Sequence, residues 1–335
     1  MNKPLPVVAA TPQGMLQWAA TIAQAAPSIF NTQPWRWQID APLLHLYADR
    51  TRQLQVADPD GRLLTVSCGA ALHHACTALA VAGCEPQVTV LPDPGDPDLL
   101  AEIRLMAGHH MAPHEINAFG GIAHRHTDRR NFTDQPVNAD ALARISAAAT
   151  REHAHLHLVP DSQIATVALA AVQASALQLS DPAYRMELAA WTHRPAWSGD
   201  GVPSETAVAQ GPRRVPVRDF APFDPSPASP GEGLERGAVF GLIFTTEDTP
   251  AAWLAAGQAL SAVLLEAASS GLATAPISDI TELAVTREQL RQHVLAGIGY
   301  PQIAVRIGHS PPGSLTATPR RQLTETVTRV QEGLS

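Results

Sequence analysis

The chain repeats itself at long range, and a repeat restricts the fold to architectures in which similar units pack on one another. Gly69-x-Ala71-Leu72 opens an alanine-rich run ending at Gly83, and Gly257-x-Ala259-Leu260 opens a similar run ending at Gly271, each landmark 188 positions from its counterpart. Both runs have the apolar spacing of a buried helix, and the closing glycine supplies a left-handed cap. Pro86-Gln87-Val88-Thr89-Val90 follows the first and Pro301-Gln302-Ile303-Ala304-Val305 the second, each reading as a strand. That second offset is 215, so the later copy is expected to carry about 27 extra residues between helix and strand. They include Ala273–Ser278 and a helical stretch near 286–297. The repeat divides the chain into units at 1–118 and 119–335.

Each unit holds something its partner lacks. Residues 27–37 read Pro-Ser-Ile-Phe-Asn-Thr-Gln-Pro-Trp-Arg-Trp, whereas the later counterpart near 150–160 reads Thr-Arg-Glu-His-Ala-His-Leu-His-Leu-Val-Pro. Two prolines fix φ and remove donors, so the early segment is no helix interior. The helix predicted by Met15, Leu16, Ala19, Ala20, Ile22 and Ala23 should stop before Pro27. Ser28, Asn31, Thr32 and Gln33 offer donors and acceptors, and Trp35 and Trp37 add flat apolar area. Such a loop suits the edge of a planar heteroaromatic ligand; a stiff connector with core tryptophans is the alternative. Residues 191–236 interrupt the later unit, rich in Pro and Gly but carrying Trp191, Trp197, Arg213, Arg214, Arg218 and Phe220. A stretch of this length is a functional lid or disordered, and its aromatics and arginines favour a lid.

Composition removes several functions. A formal charge of −8 without basic clusters argues against nucleic acid and anionic membranes. Lys3 is the only lysine, which disfavours Schiff-base and pyridoxal chemistry. Cys68, Cys76 and Cys84 do not form a disulfide framework and read as small buried hydrophobes. Of the 14 histidines, His153, His155 and His157 would share one face of a strand, and His109, His110 and His114 form a second group; neither has zinc-site spacing. No Gly-x-Gly-x-x-Gly supports a dinucleotide fold. Residues 1–26 lack a leader pattern and no run of about 18 apolar residues is evident, so a cytoplasmic location is expected.

Pro27-Ser28-x-x-Asn31-x-Gln33-Pro34-Trp35 resembles the flavin-contacting segment of the nitroreductase superfamily, and the chain as a whole is similar to its Acg-like, two-repeat family. Asp58-Pro59-Asp60-Gly61-Arg62, Ser67-Cys68-Gly69-Ala70-Ala71-Leu72, Asp248-Thr249-Pro250 and Thr318-Pro319-Arg320-Arg321 extend the likeness over nearly the whole length. The resemblance implies an α+β, nitroreductase-like fold whose two fused repeats form an intramolecular pseudo-dimer and bind FMN. Nitroreductases are usually homodimers with flavin sites at the subunit interface. A fused duplication whose halves have lost complementary parts implies one retained site and a chain that works as a monomer.

FMN presents a dianionic phosphate, a polar pyrimidine edge and an apolar end. Arginine is the best phosphate donor. Arg125-His126-Thr127-Asp128-Arg129-Arg130 resembles the family's Arg-Arg-Ser-x-Arg phosphate signature, with Arg125, Thr127 and Arg129 on its first, third and fifth positions. His126 replaces the second arginine, and an extra residue before Phe132 leaves open whether Arg129 or Arg130 points inward. Arg320 and Arg321 match the position from which the family reaches back to the phosphate. Pro27, Ser28, Asn31 and Gln33 would hold the ring edge, and the segment Pro276, Ile277 and Ser278 would approach from the other half, where the family's corresponding loop aims backbone N–H groups at the flavin. Phe30 stands where close relatives often carry histidine. No side chain is marked as a general acid or base, which suits chemistry carried by a flavin. The implied function is NAD(P)H-dependent reduction of a nitroaromatic, quinone or similar small aromatic acceptor by a ping-pong route. A flavin-sequestering protein with a shut lid is the alternative, and a cofactor-free protein retaining the fold is a third.

Overall fold

Thr11 accepts a hydrogen bond from the Gly14 N–H, which caps α1 (Pro12–Ala23) with Pro12 at its first position. The computed structural model describes residues 11–192, 194–203, 206–208, 211–220 and 229–330. As expected, α1 stops short of Pro27 and buries Leu16, Ala19, Ala20, Ile22 and Ala23. A hairpin follows, β1 (Trp35–Asp40) and β2 (Leu43–Ala48), then α2 (Arg62–Val81), β3 (Cys84–Val90), β4 (Leu99–Ala107) and α3 (Pro113–His124). Trp35 and Trp37 are fully buried on the inner face of β1, so they serve the core and not a ligand edge.

The later unit runs α4 (Ala139–Arg151), β5 (His155–Leu158), α5 (Asp161–Ser180), α6 (Pro182–Thr192), β6 (Val239–Thr245), α7 (Pro250–Ser269), β7 (Ala273–Ile277), α8 (Asp279–Glu282), α9 (Ala284–His293) and β8 (Tyr300–Gly308). Its tail adds α10 (Leu323–Thr326) and β9 (Val327–Arg329). One sheet has the order β3-β4-β2-β1-β9 and the other β5-β6-β8-β7. All neighbours are antiparallel except β9, which crosses from the later unit to pair in parallel with β1, Trp37 opposite Val327.

Sheet position corrects the expected strand alignment. The strand directly after each long helix is an edge strand, β3 after α2 and β7 after α7, whereas β8 lies inside its sheet. Pro86-Gln87-Val88 therefore lies on an edge strand and Pro301-Gln302-Ile303 on an inner one, in different sheet positions. The extra residues follow the strand instead of preceding it: α8 and α9 fill the connection between β7 and β8. A second expansion joins β5 to β6 and contains α5, α6 and the irregular segment after them, so it begins well before residue 191. Within that expected lid, residues 193, 204–205, 209–210 and 221–228 lie outside the described residues.

The long helices α2 and α7 form the centre of the molecule. Both are apolar on nearly every side because neighbours cover them all round. Each ends at a left-handed glycine as expected, Gly83 with φ +81° and Gly271 with φ +72°. They cross where Gly69 meets Gly257. A methyl group on either glycine would run into the other helix, on the carbonyl oxygen of Leu254 or of Val66. One turn on, His73 Nδ1 lies 2.8 Å from Ser261 Oγ. By length and composition α2, α5 and α7 could each cross a membrane, contrary to the sequence expectation, but α2 and α7 are mostly buried inside the protein.

Candidate functional site

A cleft of ≈ 570 Å³ opens beside this helix crossing, and both units wall it. Pro27 and Ser28 come from the early loop, Thr127 and Arg129 from the arginine run, and Pro276 and Ser278 from the end of β7. Leu63, Val66 and Ser67 of α2, with Leu260 of α7, form an apolar floor.

The early loop holds a costly backbone shape. Phe30, Asn31 and Gln33 have φ of 47°, 54° and 50°, a region that side-chain-bearing residues seldom occupy. Hydroxyl groups brace it: Ser28 Oγ accepts from the Gln33 N–H at 2.9 Å, and Ser67 Oγ accepts from the Ile29 N–H at 3.1 Å. Ser67 also donates to the Leu63 carbonyl, at 2.7 Å. It is a strut, and nothing acts on it as a base.

The arginine run is pinned by a buried network. The Asp128 N–H donates to the Thr274 carbonyl at 3.0 Å, while Arg130 grips both Asp128 carboxylate oxygens. Fully buried Arg306 pairs with Glu235 and donates to the carbonyls of Asp128 and Arg130. The open alternative is thereby resolved. Arg130 is consumed by Asp128, and Arg129 faces the cleft.

Arg125 and Arg320 come together as a pair of cations without an anion. Each donates an Nη2–H to the Ala25 carbonyl, at 3.1 Å in both cases. Their Nε atoms are enclosed and lack a partner, and no carboxylate pairs with either side chain among the described residues. Burial, and for Arg125 the neighbouring Arg320 charge, lowers their pKa values to about 9 and about 10. Burial, then Arg125 and Arg320, also lowers that of His126. A desolvated like-charge pair is expensive, and an anion with several acceptor oxygens removes that cost.

The other expected residues lie behind the cleft. Asn31 Nδ2 donates to the carbonyls of Gly201 and Pro319, at 3.0 and 3.1 Å. Gln33 Nε2 donates to the Gly199 carbonyl at 2.9 Å, and its Oε1 accepts from the Arg321 N–H at 2.9 Å. Arg321 returns a bond to the Gln33 carbonyl and faces Asp49. Ile277 sits in the core of the later unit. These residues tie the loop to the C-terminal tail. Arg320 Nη1 also reaches Asn31 Oδ1 at 3.4 Å, so the early loop and the arginine run meet through the tail.

Phe220 closes over the cleft. Its ring meets Phe30 edge-on at 5.6 Å, and Arg129 lies 4.6 Å from its centre. Arg218 stands 4.6 Å from the Phe30 ring and pairs with buried Glu282 at 2.6 Å. Glu282 is not expected from the sequence, and Arg62, which enters there only as part of a shared stretch, has a buried guanidinium that donates to the carbonyls of Gln302 and Thr281. Their partners lie far off in the chain, where no local spacing signals them. The histidine groups have other occupations: His157 bonds Gln163, His155 stacks near Phe244, and His109 pairs with Glu115. No group of three potential metal ligands occurs among the described residues.

No family model matches the chain. Among known proteins, Mycobacterium tuberculosis H37Rv has one provisionally named NAD(P)H nitroreductase Rv3131, 38% identical over 316 residues, covering 92% of this chain and 89% of the relative. Another from the same strain, provisionally named NAD(P)H nitroreductase acg, is 32% identical over 316 residues, covering 93% of this chain and 94% of the relative. The chain belongs to the Acg-like family of nitroreductases. A third relative of this Acg-like chain, from the same strain, is named uncharacterized protein Rv3127 and is 32% identical over 318 residues, 92% of this chain and 91% of its own. Among solved structures, an FMN-bound nitroreductase from Bacteroides fragilis has a TM-score of 0.41 and 13% identity, covering 64% of this chain and 98% of that one.

Proposed function

We propose that this Acg-like protein is an FMN-binding oxidoreductase of nitroreductase type, reducing FMN with NAD(P)H and passing the electrons to a nitroaromatic, quinone or similar acceptor by a ping-pong route. The observation that carries the reading is the Arg125–Arg320 pair. Two guanidinium groups converge on one carbonyl with enclosed Nε atoms and no carboxylate, a donor set suited to a phosphate dianion. The relatives' provisional names, NAD(P)H nitroreductase, support the activity class.

Ser28, Thr127, Arg129, Pro276 and Ser278 line the cleft, whereas Arg125 and Arg320 stand outside its lining and connect to the early loop through Arg320 and Asn31. Arg125 and Arg320 would take the phosphate, Thr127 would follow along the chain, and Arg129 would face the ring with Ser28, Pro276 and Ser278. The α2 and α7 side chains would cover its apolar end. When bound, FMN supplies hydride transfer; the protein orients it, excludes water and tunes its electron affinity. The early loop is braced by Ser28 and Ser67, so these donors need no rearrangement when charge develops.

We further propose that residues 1–118 and 119–335 are fused repeats acting as a pseudo-dimer with one site. Gly69–Gly257 and His73–Ser261 contacts join positions 188 apart, the repeat offset itself, as residues on a two-fold axis would. Only the early unit has the strained loop, and only the later unit has the Pro276–Ser278 approach.

The cover favours one rival. Phe220 lines the cleft against Phe30 and Arg129, where a flavin-sequestering protein would need a cover. Steady-state NAD(P)H oxidation with a panel of quinones and nitroaromatics separates the two. Sustained turnover is expected; bound FMN without turnover would replace the reductase reading with sequestration, and protein that binds no FMN would end both.

A further inference from the structure

We propose that Asp279 is the proton source for the acceptor, delivering a proton from a side chamber into the cleft as hydride arrives. The inference rests on reading the cleft as a flavin site.

Asp279 opens α8 immediately after Ser278, which lines the cleft. It is 3% exposed, yet it lines a second, small chamber with Arg218, Phe220 and Arg306. Chamber and cleft share Arg129, Phe220, Pro276 and Ser278, so they are neighbours through a common wall. The Asp279 Oδ1 atom accepts from the Ile280 N–H at 3.0 Å. No ion pair within bonding reach involves it among the described residues: Arg218 pairs with Glu282 and Arg306 with Glu235, while Arg129 lies against the Phe220 ring.

The charged and titratable groups around the carboxyl come from every packed element. They are Arg218 of the covering segment, Glu282 on α8, Tyr184 on α6, and Arg129 and Arg306 across the chamber. Burial dominates, Arg218 opposes it and Glu282 reinforces it, which raises the Asp279 pKa to about 6. A group of that acidity is part-protonated near neutral pH and can both give and regain a proton. An asparagine would fill a purely structural place without the cost of burying an ionisable group.

For a quinone the balance is simple. Two electrons and one hydrogen arrive as hydride, ultimately from NAD(P)H, and form one new bond on the acceptor. The Asp279 O–H bond breaks and its proton joins the remaining acceptor oxygen, giving neutral hydroquinone. The carboxylate left behind faces Arg218 and is reprotonated from water.

The test uses the FMN-loaded full chain, with benzoquinone oxidising the NADH-reduced protein in a stopped-flow instrument. In the parent, the oxidation rate should fall about tenfold per pH unit above about 6, following the protonated fraction. Asp279→Asn should lose that pH dependence and react at least about tenfold slower at pH 6, while flavin content and reduction by NADH stay unchanged. Asp279→Glu should restore a pH limb at a shifted position. Difference infrared spectra of the FMN-free protein add a readout independent of turnover: a carboxylic C=O band that titrates near pH 6 and is absent from Asp279→Asn. Superimposable pH profiles for parent and Asp279→Asn, or a parent rate independent of pH, would overturn the proposal and leave the flavin site standing. A parent that binds no FMN, or binds it and never turns over, would overturn both.

Discussion

Arg125 and Arg320 share a carbonyl that can satisfy only part of their donor capacity. Removing one charge-assisted contact costs about 1.5–3 kcal/mol, so Arg125→Ala should weaken FMN retention roughly 10- to 150-fold, measured by fluorescence titration of the apoprotein. Without FMN the same variant should not be destabilised, because it relieves a like-charge contact. Two buried carboxyls set the pH dependence of stability. Burial raises both Asp58 and Asp279 from 3.8 to about 6. The native state then holds protons that the unfolded chain has released, so stability is fullest below about pH 4 for these groups and falls as pH rises toward 6. Each shift corresponds to about 3 kcal/mol. Asp248, held down at about 2 chiefly by Arg287 against its burial, acts in the opposite sense at lower pH. The change in urea midpoint from pH 8 to pH 5 should therefore be more favourable in the parent than in Asp279→Asn, in both against the opposing loss from buried His73 and His74, whose pKa values burial lowers; an equal change would count against the assigned burial effect.

At the scale of elements, the helix crossing leaves no room for a side chain at Gly69 or Gly257. Gly257→Ala should cost about 1–3 kcal/mol in overpacking, read as a lower thermal midpoint. The tail depends on the early unit: β9 pairs with β1, Gln24 Nε2 donates to Thr326 Oγ1 at 2.9 Å, and Arg321 binds Gln33. Ending the chain after residue 316 should expose the β1 edge and remove Arg320, so both the urea midpoint and FMN retention should fall. What was legible in the sequence follows from this arrangement. Helices α1, α2 and α7 carry their apolar period locally, with a proline start on α1 and α7 and a glycine end on α2 and α7, so local pattern located them. Pro27, Ser28, Thr127 and Arg129 belong to short motifs and reach the cleft together. Sheet position is not legible in the sequence because pairing is non-local, and the Pro-Gln-aliphatic triplets of β3 and β8 take an edge and an inner place. Asn31, Gln33 and Arg321 have the right chemistry for a ligand but spend it on the tail, which no spacing reveals. Asp279 and Glu282 acquire their character from burial beneath a segment some 60 residues earlier.

For the whole molecule, the account makes asymmetry the basis of function. The two units supply different walls to one cleft, and the expansion between β5 and β6 covers it. Replacing Phe220 with Ala should open the cleft without touching the arginine pair, so reoxidation by a bulky quinone should quicken while FMN content stays constant. The central claim is that one FMN lies between the units with its phosphate on Arg125 and Arg320. Flavin released per chain after reconstitution and desalting tests this most directly. One FMN per parent chain is expected, with loss of that flavin in the Arg125→Ala/Arg320→Ala double variant; a parent that keeps none, or a double variant that keeps as much as the parent, would contradict it.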